Sequence, residues 1–312
     1  MGNLISNIVP ILLLIIFGMI LRKINYFEEV SMRRLTSMVA TLLVPCVIFS
    51  TFLNLDIRME YLWISLTFML YQAILLAVSW IIYKVFKIKR RFFLFFNCAF
   101  AFGFMALPLF TTVFGTEHIG YLTALGVGHE LFVGLFFITG AKLFLKNERT
   151  GLTDMGKTLL SPLFIMLFLA LFIKVFDLKS IIESNVIGKG FIDAVAKLGS
   201  MTSILTMIIV GYRISLKNMT TIKESIYLVI TRYALTFGIG YLIKYLIIDK
   251  IVASNIYFDY AFFTLLSQHG SVVLNAFVGE YGTQEDLEVA SNAFVINAIT
   301  GIVLYIIFVF FI

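Results

Sequence analysis

Charge is scarce in this chain. Of its 312 residues, 13% are Asp, Glu, Lys or Arg and 61% are hydrophobic. A soluble domain carries about 25% charged and about 45–50% apolar residues. An ordinary water-soluble fold is thereby excluded. There are two cysteines, Cys46 and Cys98, and both fall inside apolar runs. That reads as two small buried hydrophobes rather than a disulfide or a metal site. No Gly-x-x-x-x-Gly-Lys-Ser/Thr loop occurs, so ATP hydrolysis by this chain is not expected. His129-Glu130 has Val133 where a zinc-protease motif needs its second histidine. Asp56, Asp177, Asp249 and Asp259 sit near the ends of apolar runs, so no intramembrane aspartate pair forms. A Ser271–His269 pair lies on one segment without a third group. An enzyme is therefore not expected. The net charge of +6 is no nucleic-acid footprint, because the basic residues lie in short loops.

What the chain does have is apolar blocks of about twenty residues, the length that crosses a bilayer. Its 33 Phe and 14 Tyr suit lipid-facing and interfacial positions. We count ten spans, roughly 4–22, 34–54, 61–83, 92–115, 119–142, 158–178, 192–213, 224–248, 258–281 and 288–311. The first run lacks a basic n-region and a small-residue cleavage site, so it reads as a span rather than a signal peptide. The odd-numbered loops carry sixteen Lys and Arg, among them Arg22, Arg33, Lys89, Arg90, Arg149, Lys157 and Lys217. The even-numbered loops carry seven, from Arg58 to Lys250. By the positive-inside rule the odd loops are cytoplasmic and both termini extracytoplasmic. The loop between spans nine and ten dissents, with Glu285, Asp286 and Glu288 and no basic residue.

Five is an odd number of spans, so a duplication of five gives halves of opposite orientation. We expect an all-α membrane protein of two inverted five-helix repeats, residues 1–150 and 151–312. At an offset of 167 residues Gly103 falls on Gly270, Phe110 on Phe277 and Gly115-Thr116 on Gly282-Thr283. Both runs are interrupted, at Ala101 to Pro108 and at Gln268-His269-Gly270-Ser271. Paired interrupted helices point to a transporter's binding site. Pro108 removes a backbone donor, and Gly103 and Gly270 permit unusual dihedrals and close approach. Broken helices must satisfy their freed backbone groups inside protein, since lipid cannot. Half-helix N-termini suit a carboxylate, which is the physical case for an anionic substrate.

Gln268 and His269 are the first candidate ligands, with Ser271 and Asn275 beside them. Asn275 falls on Pro108 in the offset. His269 reads either as a neutral imidazole bonded to released carbonyls or as a titrating group at the substrate site. Glu130 lies mid-span, where an acid costs about 2.5–3.5 kcal/mol. It reads as a proton-coupling carboxylate, as a buried ion pair or neutral acid with a structural role, or as a side chain at a cavity edge with no role. Asn297 falls on Glu130 in the offset. Arg232 is either a partner for Glu130 or a snorkelling side chain, and Gln72 and Asn292 are further polar candidates.

The residues resemble the auxin efflux carrier family, which includes bacterial malate and malonate permeases. The matches are Leu43-Val-Pro-Cys-Val-Ile-Phe-Ser50, Gly103-Phe-Met-Ala-Leu-Pro-Leu109, Ile208-Ile-Val-Gly211 and Phe277-Val-Gly-Glu-Tyr-Gly282, in order over nearly the full length. The resemblance implies a scaffold of spans 1, 2, 6 and 7 and a transport domain of spans 3–5 and 8–10. It also implies broken, crossing helices four and nine and alternating access of the elevator kind. Where the family has Asn this chain has Ala101, with Asn97 one turn earlier; where the family has Pro it has His269-Gly270. The function expected is secondary transport of a small organic anion, a mono- or dicarboxylate such as malate or malonate or an auxin-like weak acid, across the plasma (inner) membrane, with a channel or a ligand-sensing membrane module as the alternative. No cofactor is expected beyond a coupling ion, H+ or Na+. The expected partners are the anion, the lipid bilayer and a second copy through the scaffold, with no nucleic acid.

Overall fold

The computed structural model describes residues 2–54, 59–146, 160–213, 221–252 and 254–312. Arg58, Arg149, Lys157 and Lys217, counted above for orientation, lie outside the described residues, as does most of the central loop. Among the described residues there are helices and no strands. In chain order they are α1 (Gly2–Lys23), α2 (Glu29–Asn54), α3 (Met59–Val85), α4 (Phe93–Phe96), α5 (Phe102–Phe114) and α6 (Ile119–Leu145). Then come α7 (Pro162–Val175), α8 (Lys179–Ser184), α9 (Val186–Arg213), α10 (Ile222–Ile251), α11 (Ile256–Ser267), α12 (Val272–Tyr281) and α13 (Gln284–Phe311).

Helices α2, α3, α6, α9, α10 and α13 are long and apolar enough to cross a membrane. Helices α5, α7 and α11 are apolar but shorter. This is an all-α membrane protein. The two spans expected to be interrupted are each in two pieces: the fourth is α4 and α5, and the ninth is α11 and α12.

Local chemistry sets several ends. Thr283 and Asp286 form a reciprocal capping box at the start of α13, each side chain accepting from the other's backbone N–H at 3.1 Å. The Asn255 side chain accepts from the Tyr257 N–H at 2.9 Å and starts α11. Prolines act less sharply than expected. Wide π-type turns at Val39–Leu43 and Phe102–Ala106 precede Pro45 and Pro108 and absorb the missing N–H without ending the helix.

The chain divides into two compact units. The first comprises Met1–Ile57, Gly103–Thr123 and Gly156–Arg213. Its helices pack through glycines. A Cβ added to Gly18 would sit 2.1 Å from the Ile208 carbonyl oxygen, and one added to Gly211 would sit 1.9 Å from that of Ile15. Helices α1 and α9 therefore cross backbone to backbone, as small residues allow between helices in lipid. Arg22 Nη1 donates to the Tyr212 carbonyl at 2.9 Å at the end of that contact. Gly103 makes room for a side chain instead: its added Cβ would lie 2.5 Å from Val44 Cγ1. It needs no unusual dihedral. Among the described glycines only Gly115 has a positive φ, +84°.

The second unit comprises Arg58–Phe102, Ala124–Met155 and Ile214–Ile312. Here α10 packs against α3, α4, α11 and α13. The Tyr71 hydroxyl donates to the Thr236 carbonyl at 2.8 Å. Ser65 on α3 donates to the Ala124 carbonyl at 2.7 Å, beside a close approach of Gly128 to the Ser65 backbone.

At one end of this unit Arg90, in the loop after α3, gathers three carboxylates. It meets both oxygens of Glu224 at 2.8 and 3.0 Å, Asp286 at 3.1 Å, and Glu285. The hydrogen bonds to Glu224 and then Glu285 hold its pKa above the ordinary arginine range. The starts of α10 and α13 and the end of α3 therefore lie on one side of the unit. The loop whose charge dissented in the sequence shares its acids with the most basic loop.

Candidate functional site

Two stretches inside the second unit are not helical. The first follows α4 and runs from Asn97 to Ala101; the second follows α11 and runs from Gln268 to Ser271. The second matches expectation. The first lies N-terminal to Gly103 and Pro108, which belong to α5 in the first unit. Neither Gly103 nor Pro108 stands at the break itself.

The two breaks touch. The Ala101 N–H donates to the His269 carbonyl at 3.0 Å. A single side chain then ties both to α10. Arg232, fully buried, donates from Nη1 to the Phe96 carbonyl, and from Nη2 to the carbonyls of Ala99 at 2.8 Å and Gln268 at 3.3 Å. Its guanidinium carbon lies 4.9 Å from the Phe100 ring centroid, within cation–π range. The last carbonyls of a helix have no partner within it, and here an arginine supplies the donors. Arg232 neither snorkels to a surface nor pairs with Glu130. Among the described residues the ion pairs of this unit involve Arg90 and Lys244, not Arg232.

Other side chains complete the junction. Asn297 on α13 accepts at Oδ1 from the Gly270 N–H at 3.0 Å. The Tyr233 hydroxyl, next to Arg232 in sequence, lies 3.0 Å from the Ser267 carbonyl and 3.1 Å from that of Asn297. Gln72 on α3 donates from Nε2 to the Cys98 carbonyl at 2.7 Å and faces His129 Nδ1 at 2.9 Å. With Gln72 donating, that nitrogen accepts, and the imidazole proton sits on Nε2. Asn97 donates to Ser79 Oγ and to the Phe93 carbonyl, both at 3.1 Å.

The sequence-derived candidates divide accordingly. Asn97, Gln268, His269 and Gly270 are buried at the junction. The Gln268 amide turns back on its own helix, donating to the Thr264 carbonyl at 2.6 Å and Ser267 Oγ at 3.0 Å. His269 Nδ1 lies 2.7 Å from the Gly270 carbonyl oxygen, and its ring meets Phe294 edge-on. Gly270 has room for a Cβ, whose nearest neighbour would be the Phe96 carbonyl oxygen at 3.4 Å, so close approach does not require glycine there. Ser271 caps α12, accepting from the Val273 N–H at 3.2 Å. Asn275 lies half-buried one turn further. Glu130 is half-buried on α6, beside His129 in sequence but outside the hydrogen bonds that hold the breaks.

Three residues central to the junction were named above without this role or not named at all: Arg232, Asn297 and Tyr233. The signal for Arg232 was present, since it is the one charged residue deep inside its apolar run. Four buried polar atoms at the junction have no hydrogen-bond partner among the described residues: Gln72 Oε1, Asn97 Oδ1, Asn297 Nδ2 and Arg232 Nε. Leaving such an atom unpaired costs about 1–3 kcal/mol. They are sites where a polar ligand gains most. Both cysteines are free and buried, and among the described residues no cluster of metal-ligating side chains occurs. Compared with protein-family models and with curated proteins, the chain matches none.

Proposed function

We propose that this protein is a secondary transporter of small organic anions, mono- or dicarboxylates such as malate or malonate, working by alternating access in the plasma membrane. One observation carries the reading: two chain breaks inside an apolar helical unit, bonded to each other and clamped by one buried arginine. A membrane protein has little reason to unwind backbone in its interior except to line a polar site. The positive guanidinium and the unpaired Nδ2 donor of Asn297 favour an anionic, hydrogen-bonding solute, while the unpaired Oδ1 of Asn97 suits a donor on that solute such as a hydroxyl or an acid proton. The motif resemblance to the auxin efflux carriers points the same way.

The finer architecture belongs to the same proposal. Ten spans form two inverted repeats, with a scaffold from spans 1, 2, 6 and 7 and a transport domain from the rest. Under the offset of 167 residues the end of α5 at Phe114 falls on the end of α12 at Tyr281, which supports the repeat. The odd-numbered loops face the cytoplasm, and the Arg90 cluster supports placing loops three, seven and nine together. Protons couple through Glu130 or His269.

The test is uptake and counterflow of labelled malate and malonate in proteoliposomes. A transporter saturates and exchanges internal for external substrate. Linear, non-exchanging flux would identify a channel. No flux, with ligand-dependent stabilisation alone, would identify a sensing module.

A further inference from the structure

Arg232 sits where broken transporter helices commonly hold a metal ion. Released carbonyls and half-helix C-termini are the groups that coordinate sodium in such folds. Here the carbonyls of Phe96 and Ala99 from the first break and Gln268 from the second converge on one centre, and that centre is a guanidinium. The end of α11 adds its dipole, negative at the C-terminus. An arginine in protein stays charged. Its planar fork lets one side chain serve carbonyls from two segments at once. The rings of Phe96 and Phe100 lie against the same group, at 5.7 and 4.9 Å from the guanidinium carbon.

We propose that Arg232 is a resident cation. Its guanidinium fills, from within the chain, the carbonyl cluster at the two breaks that a monovalent metal ion would otherwise bind. Wild-type protein therefore takes no sodium at this place, and removing the side chain creates a sodium-binding or potassium-binding site. The inference concerns cation binding and stands whether or not the protein transports anions.

The experiment compares purified full-length wild type, Arg232→Ala and Arg232→Lys in detergent. Melting is followed in equal concentrations of sodium, potassium and choline chloride, and sodium binding is measured by equilibrium dialysis with labelled sodium. Wild type is expected to melt alike in all three salts and to bind no sodium. Arg232→Ala is expected to melt lower than wild type in choline. It should recover saturably with sodium or potassium, and also with methylguanidinium, while binding about one sodium per chain. Arg232→Lys keeps a charge there and should stay indifferent to sodium. Saturable sodium binding to wild type equal to that of Arg232→Ala would overturn the proposal. So would a folded Arg232→Ala that responds to none of the three cations. Should Arg232→Ala fail to accumulate folded, wild type and Arg232→Lys decide: sodium-dependent melting of both refutes the proposal, and sodium-indifferent melting of both is the expected result.

Discussion

Asn297→Ala should loosen the second break and leave the rest of the unit in place. The Asn297 side chain accepts from the Gly270 N–H at 3.0 Å, and both residues are buried. Truncation removes that acceptor and strands a buried donor, at about 1–3 kcal/mol. The main-chain carbonyl of Asn297, which faces the Tyr233 hydroxyl, is untouched. The loss therefore falls on the Gly270 amide. In local opening it corresponds to roughly 5- to 150-fold. Hydrogen exchange read by mass spectrometry on a peptide covering residues 268–274 measures this directly. The control is Asn292→Ala, five residues earlier on α13, where Nδ2 donates to Thr221 Oγ1 at 2.9 Å. That variant should lower global stability comparably and leave exchange at 268–274 unchanged. Equal exchange of that peptide in wild type and Asn297→Ala would refute the reasoning. It would mean that the break holds without this bond.

Gly211→Ala and Gly18→Ala should each lower the melting temperature sharply, since their added methyls would meet main-chain carbonyls at 1.9 and 2.1 Å. Gly190→Ala and Gly238→Ala, in helices with open space around them, should hold or raise it by up to about 1 kcal/mol in stability. Arg90→Ala should cost about 1 kcal/mol and cost less at high salt, as an ion-pair cluster predicts. The pKa of Arg90 is raised on folding, so its stabilisation is fully present below the unfolded arginine value and lost only as pH rises through the folded one. Its own protonation thus adds no pH dependence between pH 5 and 9, which melting curves of wild type and variant can check. Glu130→Gln should abolish the pH dependence of uptake under the transport reading, and uptake that stays fully pH-dependent removes Glu130 from coupling.

The second break was legible in the sequence because Gln268-His269-Gly270-Ser271 places polar and flexible residues in the middle of an apolar run. The first was misplaced toward Pro108 because proline is the loudest helix breaker in a sequence. The structure shows why it does not break here: the wide turn at Phe102–Ala106 takes up the missing donor in advance. The true break carries Asn97-Cys98-Ala99-Phe100-Ala101, which looks like ordinary helix by composition. What unwinds it is tertiary: Arg232 takes the Phe96 and Ala99 carbonyls, Gln72 takes that of Cys98, and His269 receives the Ala101 N–H. Partners 26 to 168 residues away leave no local trace. The reading of Gly270 as a place of close approach failed for a similar reason. Gly270 falls on Gly103 at the offset of 167 residues, but of the two Gly103 alone lies where a Cβ would clash.

The buried arginine and the broken helices explain one another. An arginine alone at the centre of an apolar helix costs about 2.5–3.5 kcal/mol on insertion scales. Unpaired carbonyls in hydrocarbon cost several kcal/mol each. Each feature by itself would be selected against. Together they offset one another, because the three carbonyls released at Phe96, Ala99 and Gln268 accept from both terminal nitrogens of the guanidinium. It follows that neither can be lost alone. A chain that kept Arg232 but closed either break into continuous helix would withdraw acceptors from a permanent charge. One that kept the breaks but replaced Arg232 with an apolar residue would strand the carbonyls, unless some other cation took its place. Tyr233, on the same helix as Arg232, and Asn297 and Gln72, on α13 and α3, reinforce this coupling, so the junction is over-determined rather than balanced on one bond. Such redundancy holds a polar centre in one shape inside an otherwise apolar unit.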